Sequence, residues 1–492
     1  MSLADHEVAA FREVRAWYPA DAPFHPEACY AEIVGLRTGG PNPAFHAVRE
    51  CFRLAQLDAA RSGTPDWNPL GEYLAIGETV LLKPNFVKEF HPRDPEGWRY
   101  VLTHGSILRA LAEYVFLAVG PRGRVVVADA PQTDSSFDKI VSILGMRDVQ
   151  REFKARGLAL DVVDLRKEEW ESEDGVIQRR RVLEGDPHGY VAFNLGESSE
   201  FAAHEGRGHY YGADYDARAV NSHHENGRHE YLLAALPFHV DAVISVPKLK
   251  THKKAGVTIG LKNLIGINGD KNWLPHHTEN TAGASGDEHP VKADRKHGLE
   301  RRLVAAARAA LPKIPFVGPR LHWLARQAGK RVFGDTEDVV RSGNWWGNDT
   351  IWRTCLDLNK ALAFGEPDGT MRDPAAPRRR HYALVDGLIA GQGRGPMNPD
   401  PVALGLVAFG TNVPSVDAFC AAAIGFDPFK IPIVRQAFET KRWRLADHAL
   451  SAITIRSNEE AWRGPLSAVR PWNGQPFAPH FGWKGHIERG SP

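Results

Sequence analysis

Five short stretches in the first third of the chain decide the fold. They are ETVLLKPNFV (78–87), SILRALAEYVFLAV (106–119), GRVVVADAP (123–131), SSFDKIVSILG (135–145) and LALDVVDL (158–165). The first, third and fifth hold short apolar runs that read as buried strands, the first of them over 79–82. The second sets Ile107, Leu108, Leu111, Tyr114 and Val115 at helical spacing behind Ser106, a favourable N-cap residue. The fourth reads as a helix stopped by Gly145. Strand, helix, strand, helix, strand with short connections is the signature of a parallel sheet with covering helices. Strand-like runs return at HVDAVISV (239–246), RHYALVDGLIA (380–390) and PVALGLVAFG (401–410), and VPSVDAFCAAAIGF (413–426) reads as a helix with a small-residue packing face. The expected architecture is α/β: a central, largely parallel sheet with covering helices, a second α/β part formed by the C-terminal half, and a cleft between them.

The segments around this pattern set the expected boundaries. Residues 1–75, punctuated by GGPNPAF and GTPDWNPLG, read as an irregular lead-in with one helix near 47–61. Residues 76–165 form the first half of the α/β domain. Residues 166–236 are polar and histidine-rich, and are expected to be an antiparallel elaboration or long loops. Residues 237–298 hold a strand and a loop rich in Lys, His and Asn. Residues 299–342 break the pattern with two basic amphipathic helices separated by Pro312, Pro315 and Pro319. Residues 343–492 form the C-terminal α/β part and tail.

Composition narrows the function classes. At 492 residues and 25% charged residues, the chain has the make-up of a soluble globular protein. A net charge of +1 provides no overall field for a polyanion, so attraction for anions must be local, and no nucleic-acid partner is expected. No basic and apolar leader and no span of roughly 20 apolar residues stands out, so a cytoplasmic location is expected. Cys29, Cys51, Cys355 and Cys420 are scattered without a CxxC, which argues against a disulfide framework, a zinc ribbon or a cysteine-ligated iron–sulfur cluster.

The chemistry concentrates in VISVPKLKTHKKAGVTIGLKNLIGINGDKNWLPHH (243–277). An apolar strand ends at Pro247 and runs into Lys248, Lys250, His252, Lys253, Lys254, Lys262 and Lys271, among glycines and Asn263, Asn268 and Asp270. Open α/β sheets bind ligands at the carboxyl ends of their strands, so these cations and amides fall where an anion would sit. Lys262 lies in an apolar context, where a lysine must snorkel, pair or be tuned by burial. Two more strand ends carry matching groups: Lys83 and Asn85 in LLKPNFV, and Asp129 in ADAP. His104 lies just before the helix at Ser106. An ordinary solvated basic loop is the plain alternative for the lysines, and a turn or cap role for Asp129.

Other motifs are weaker. Twelve of the 22 histidines fall between His188 and His297, which admits a divalent metal; solvated loop histidines explain them as well. HHENGRH (223–229) spaces His224 and His229 five apart around Gly227, and so fails the zincin spacing. GLIAGQGRGP (387–396) contributes Gly391 and Gly393 to a weak phosphate-nest pattern. No Walker lysine loop and no GxSxG elbow occurs. The basic helices over 300–333 would suit peripheral membrane contact, against the plainer reading of a packed insertion.

Four phrases together resemble one family. LLKPNFV (81–87), VPKLKTHKKAGVTIGLKNLIG (246–266), ALVDGLIAGQGRGP (383–396) and FGTNVPSVDAFCAAAIGFDPFKIP (409–432) are similar to the DUF362 family, across roughly 79–432. Many members carry a ferredoxin-type CxxCxxCxxxCP segment tied to redox roles. This chain lacks it, so that implication does not transfer. It looks like the longer, cluster-free branch, which the resemblance associates with surface-polysaccharide neighbourhoods. The arrangement is also similar to the lactate racemase fold, whose site gathers Lys and His between two α/β domains; that is an analogy of fold alone.

The expected site has Lys83, Asn85, His104 and Asp129 on one side and Lys248, Lys250, His252, Lys262 and Asn263 on the other. Asn268 and Asp270 add hydrogen-bonding groups, and Asp386, Gly391, Gly393, Asn412 and Asp417 close the far wall. In this expectation the lysines bind a phosphate or carboxylate. His104 or His252 is the general acid or base, Lys262 is tuned by burial, and Asp129 orients a histidine or holds a metal. The leading expectation is an enzyme acting by acid–base chemistry on an anionic small molecule such as a sugar phosphate, with no cofactor assigned beyond the divalent metal the histidines admit. The alternatives are a non-catalytic scaffold in surface-polysaccharide synthesis and a histidine-based metal or redox protein.

Overall fold

A computed structural model describes residues 3–490 except 34, 174–175, 205, 207, 213–215, 281–285 and 291–338. The expected basic helices over 300–333 lie outside the described residues.

One mixed sheet organises the chain. Its strands are Glu7–Arg12 (β1), Thr79–Pro84 (β2), Arg124–Asp129 (β3), Ala159–Asp164 (β4), Ala242–Val246, Lys248–His252, Gly256–Thr258, His381–Arg394, Asn398–Gly410, Thr454–Ser457 and Gly464–Pro465. Between β4 and Ala242 come Glu168–Glu173 (β5), Val176–Val182 (β6), Tyr190–Asn194 (β7), Tyr210–Gly212 (β8) and Glu230–Ala234 (β9). The later strands are therefore β10 (Ala242), β11 (Lys248), β12 (Gly256), β13 (Pro275–Thr278), β14 (His381), β15 (Asn398), β16 (Thr454) and β17 (Gly464). The path across the main sheet is β17-β16-β1-β15-β14-β10-β2-β3-β4, with β11 and β12 extending from β14. From β14 to β4 every pairing on this path is parallel, as the alternating strand–helix pattern implied.

The parallel strands read as unbroken apolar runs because both faces are covered. Val80, Leu82, Val125, Val127, Ala242 and Ile244 join one core with the helices Pro43–Leu54 (α1), Gly105–Val119 (α3), Phe137–Ile143 (α4) and Met146–Ala155 (α5). The short helix Trp98–Val101 (α2) precedes α3. The intervening positions Leu81, Val126 and Val243 face the other core. There Gly260–Asn263 (α8), Ile351–Phe364 (α9), Val413–Ala423 (α10) and Pro432–Ala437 (α11) pack, the short helices Ala217–Ser222 (α6) and Leu236–His239 (α7) having come earlier in the chain.

Three differences from the sequence reading stand out. The helix expected near 47–61 runs instead over Pro43–Leu54, because Asn42 accepts the Phe45 N–H and Pro43 sits in its first turn. The lead-in is not irregular throughout, since β1 lies between β15 and β16 inside the sheet. The C-terminal half does not build a separate sheet. Its hairpin β14–β15 joins β10 edge to edge, so the two parts meet within one sheet. Residues 166–236 do form antiparallel pairs, β5 with β6 and β7 with β9, while β8 pairs with β13. No helix among the described residues is long and apolar enough to cross a membrane.

Candidate functional site

The chain enters the sheet at β2, builds outward through β3 and β4, then returns to place β10 on the other side of β2. That reversal is a topological switch point, where the connections at the carboxyl ends diverge and leave room for a ligand. β2 ends at Lys83-Pro84, β3 at Asp129, and β10 at Val246, just before β11.

The first group closes the end of β2. Lys83 Nζ lies 2.7 Å from Asp129 Oδ1 and donates to the Pro84 carbonyl at 2.7 Å, and both side chains are buried. Asp129 Oδ2 accepts the Phe86 N–H at 2.6 Å, and Oδ1 accepts the Ala130 N–H at 2.9 Å. Asn263 donates to the Lys83 carbonyl at 2.8 Å, and its Oδ1 receives Lys83 Nζ and Asn85 Nδ2 at 3.4 Å each. Burial pushes Lys83 down and Asp129 up, each opposed by the other's charge. Asp129 thus orients a lysine, and among the described residues it touches no histidine. Gly266 is required here, since its carbonyl accepts the Ala130 N–H and a Cβ on it would run into the Asp129 carboxylate.

The second group is also closed. β11 reads KLKTH, and its period of two sets Lys248, Lys250 and His252 on one face while Leu249 joins the core on the other. Lys248 Nζ lies 2.7 Å from Asp386 Oδ2 and 2.6 Å from the Tyr18 hydroxyl, which donates to Asp386 Oδ1 at 2.5 Å. The Tyr18 ring stacks on His104 with centroids 4.0 Å apart, and Trp98 stacks on His104 at 5.5 Å. The His104 N–H donates to Asp386 Oδ2, while its Nδ1 caps α3 by accepting the Ser106 N–H. Burial, then the Lys248 and Arg99 charges, hold His104 well below the usual imidazole range, and burial with Asp386 keeps Tyr18 a phenol.

The third group is left with unbalanced charge. Lys250 is fully buried and donates to the Val101 carbonyl, with no carboxylate partner among the described residues. Lys262, half-buried on α8, has no hydrogen-bond or ion-pair partner among the described residues. Burial, then Lys248 and Lys262, push Lys250 well below the ordinary lysine value; burial and Lys83 lower Lys262. Lys254, also half-buried, contacts His277 Nδ1 at 3.2 Å and is lowered to about 7 by burial and by Lys253. His252 and His276 are pushed well below the imidazole range by burial, then by lysines, with Lys262 acting on both. Lys262 is the common neighbour of this group, within electrostatic reach of Lys250, His252, Lys254 and His276.

The structure therefore brings together Lys83, Asn85, His104, Asp129, Lys248, Lys250, His252, Lys262, Asn263 and Asp386. It places the remaining expected residues in backbone-supporting roles. Asn412 is the N-cap of α10 and donates to the Leu445 carbonyl. Asp417, on α10, accepts the Gly260 and Leu261 N–H groups and so holds the start of α8; burial raises it to about 8. Gly391 and Gly393 belong to β14, which runs on into the β14–β15 hairpin, so no helix follows them to complete a phosphate nest. Asn268 donates back to the Ile265 carbonyl, and Asp270 caps the short turn at Asn272. Among the described residues no three of His, Cys, Asp and Glu gather in a way that could hold a metal ion.

Sequence reasoning missed Tyr18, Lys254 and His276. Tyr18 arrives from the lead-in, with no local signal linking it to Asp386. Lys254 and His276 stood in the decisive stretch, and the density of cations and imidazoles there was the available signal.

Residues 186–422 match a family described as Domain of unknown function (DUF362). The span takes in β10 to β13 and most of α10, and with them Lys248, Lys250, His252, Lys254, Lys262, Asn263, His276 and Asp386. LLKPNFV, one of the phrases that carried the resemblance, lies before it. No curated protein matches the chain.

Proposed function

The chain belongs to the DUF362 family through residues 186–422, and from the charges that this span buries we propose that it binds an anionic small molecule and acts on it by acid–base chemistry. One observation carries the reading. Of the four lysines on β2, β11 and α8, Lys83 and Lys248 have carboxylate partners, while Lys250 and Lys262 have none among the described residues. Burying an ion costs several kcal/mol unless a countercharge and hydrogen bonds offset it. With the two ion pairs neutral, two lysines remain whose ammonium forms burial disfavours and a guest anion would restore, which suits a phosphate monoester or a dicarboxylate. Half-buried Lys254, Lys262 and His276 provide the approach, and Lys250 lies beneath as a source of field. The phosphate of a sugar phosphate carries a matching charge.

Thermal unfolding of the full chain tests this with inorganic phosphate, pyrophosphate and citrate against chloride at equal ionic strength. A guest at 100 times its dissociation constant adds about 2.7 kcal/mol to the folded state. The expected result is a rise in midpoint with the multivalent anions that disappears in Lys262→Met, a variant that leaves no carboxylate unpaired. An equal rise with chloride, or one that survives in Lys262→Met, overturns the reading.

A further inference from the structure

Two imidazoles in the cationic group have their tautomers set by backbone groups of opposite kind. His252 Nδ1 faces the N–H groups of Lys254 at 3.0 Å and Ala255 at 3.1 Å. An amide N–H only donates, so Nδ1 is the unprotonated nitrogen and a neutral His252 carries its proton on Nε2. His276 Nδ1 faces the Leu274 carbonyl at 2.9 Å. A carbonyl only accepts, so that nitrogen holds the proton and Nε2 presents a lone pair. Burial and the neighbouring lysines favour the neutral form of both rings. Neither Nε2 has a partner among the described residues. The turn that follows β11 makes the first arrangement and the entry into β13 the second, so each is built into the backbone.

We infer that His252 and His276 form a matched pair, a neutral hydrogen-bond donor and a proton acceptor, and that the guest is an anionic carbonyl compound which loses a proton from the carbon beside that oxygen. The inference rests on the proposed anion site. In the step, His276 Nε2 takes the proton, the C–H electron pair becomes a carbon–carbon double bond, and the carbonyl π pair moves onto oxygen. The His252 Nε2–H and the Lys262 ammonium hold the oxyanion without giving up a proton, since His252 would otherwise have to become an imidazolate. Return of the proton from the His276 imidazolium to the same carbon completes the cycle with no other reactant. The role expected of His252 as the acid or base thus passes to His276, and His252 polarises an oxygen instead.

The full chain labelled with 15N-histidine tests the pair by NMR. Resonances are assigned by their loss in His252→Gln and His276→Gln or, where a variant fails to fold, by contacts of each ring proton with the Leu274 or Ala255 backbone. The expected spectrum shows the Nε2–H tautomer at His252 and the Nδ1–H tautomer at His276, with neither protonating between pH 8 and 6. The opposite tautomer at either ring, or a midpoint near 6.5, overturns the inference. Oxalate, a planar dianion resembling an enolate, is then expected to shift the His252 Nε2–H resonance and to raise the protonation midpoint of His276. If oxalate raises the unfolding midpoint but moves neither resonance, the pair is refuted while the anion site stands. If neither oxalate nor phosphate binds, the anion site falls, and the pair's role falls with it.

Discussion

Lys248 and Lys250 lie two residues apart on the same face of β11, and both are 0% exposed, yet their replacement by methionine is expected to change stability in opposite directions. Lys248→Met strips the cation from Asp386, itself 0% exposed, and leaves that carboxylate, among the described residues, with only the Tyr18 hydroxyl and the His104 N–H. Breaking a buried pair from one side costs about 3–5 kcal/mol. Lys250→Met removes an ammonium whose acceptor is the Val101 carbonyl. Relief of several kcal/mol of ion desolvation is partly offset by about 1–3 kcal/mol for leaving that carbonyl without its donor. The net is a gain of about 1–3 kcal/mol, within those same limits. The assay is urea unfolding of the full-length variants at pH 7, followed by far-ultraviolet circular dichroism. The pH dependence provides a second reading. Lys250 has a lower pKa folded than unfolded, so between the two values the unfolded chain binds more protons. Its contribution is therefore present above the ordinary lysine value and lost as pH falls through the folded value. Lys250→Met is expected to flatten the rise in stability on the alkaline side. If both variants lose stability by similar amounts, Lys250 is compensated in a way the contacts do not show, and the argument from excess charge fails.

Three further outcomes are expected. Gly266→Ala drives a Cβ to 2.6 Å from Lys83 Nζ and into the Asp129 carboxylate, and should cost about 3–5 kcal/mol in the same urea assay by parting a buried ion pair; unchanged stability would show that the turn relaxes. Tyr18→Phe keeps the ring on His104 but deletes the hydroxyl that bridges Lys248 and Asp386, for a loss of about 1–3 kcal/mol; a smaller loss in calorimetry would mean that water replaces it. Asp417 is raised to about 8 in the fold, so its contribution is present below the unfolded value near 3.8 and lost as pH rises through about 8. Asp417→Asn should therefore flatten the midpoint-against-pH curve between those values, at a cost of about 1–3 kcal/mol for turning an amide against one of the Gly260 and Leu261 N–H groups; a curve that keeps its slope would assign the dependence to another group.

Part of this was legible in the residues. The runs at 79–82, 124–129 and 242–246 are apolar without alternation because both faces of the central strands are buried, and that alone predicts parallel strands under helices. The lysines and Asp129 are legible too, because a polar residue where such a strand ends sits by geometry at the carboxyl edge of the sheet. Partnership was not legible. Nothing in KLKTH distinguishes Lys248 from Lys250; the difference arises because Asp386, some 140 residues later, pairs in register with Lys248, while Gly391, which offers no charge, stands opposite Lys250. Tyr18 and β1 were invisible for the same reason, since a lead-in with weak local preference takes its shape from the sheet and core it joins. The sequence alone determined which strands are buried and which strand ends bear charge, since these follow from local pattern. Only the tertiary structure decided which charges are neutralised and which imidazole nitrogens carry protons, because ion pairs and hydrogen bonds act over a few ångströms between segments far apart in the chain.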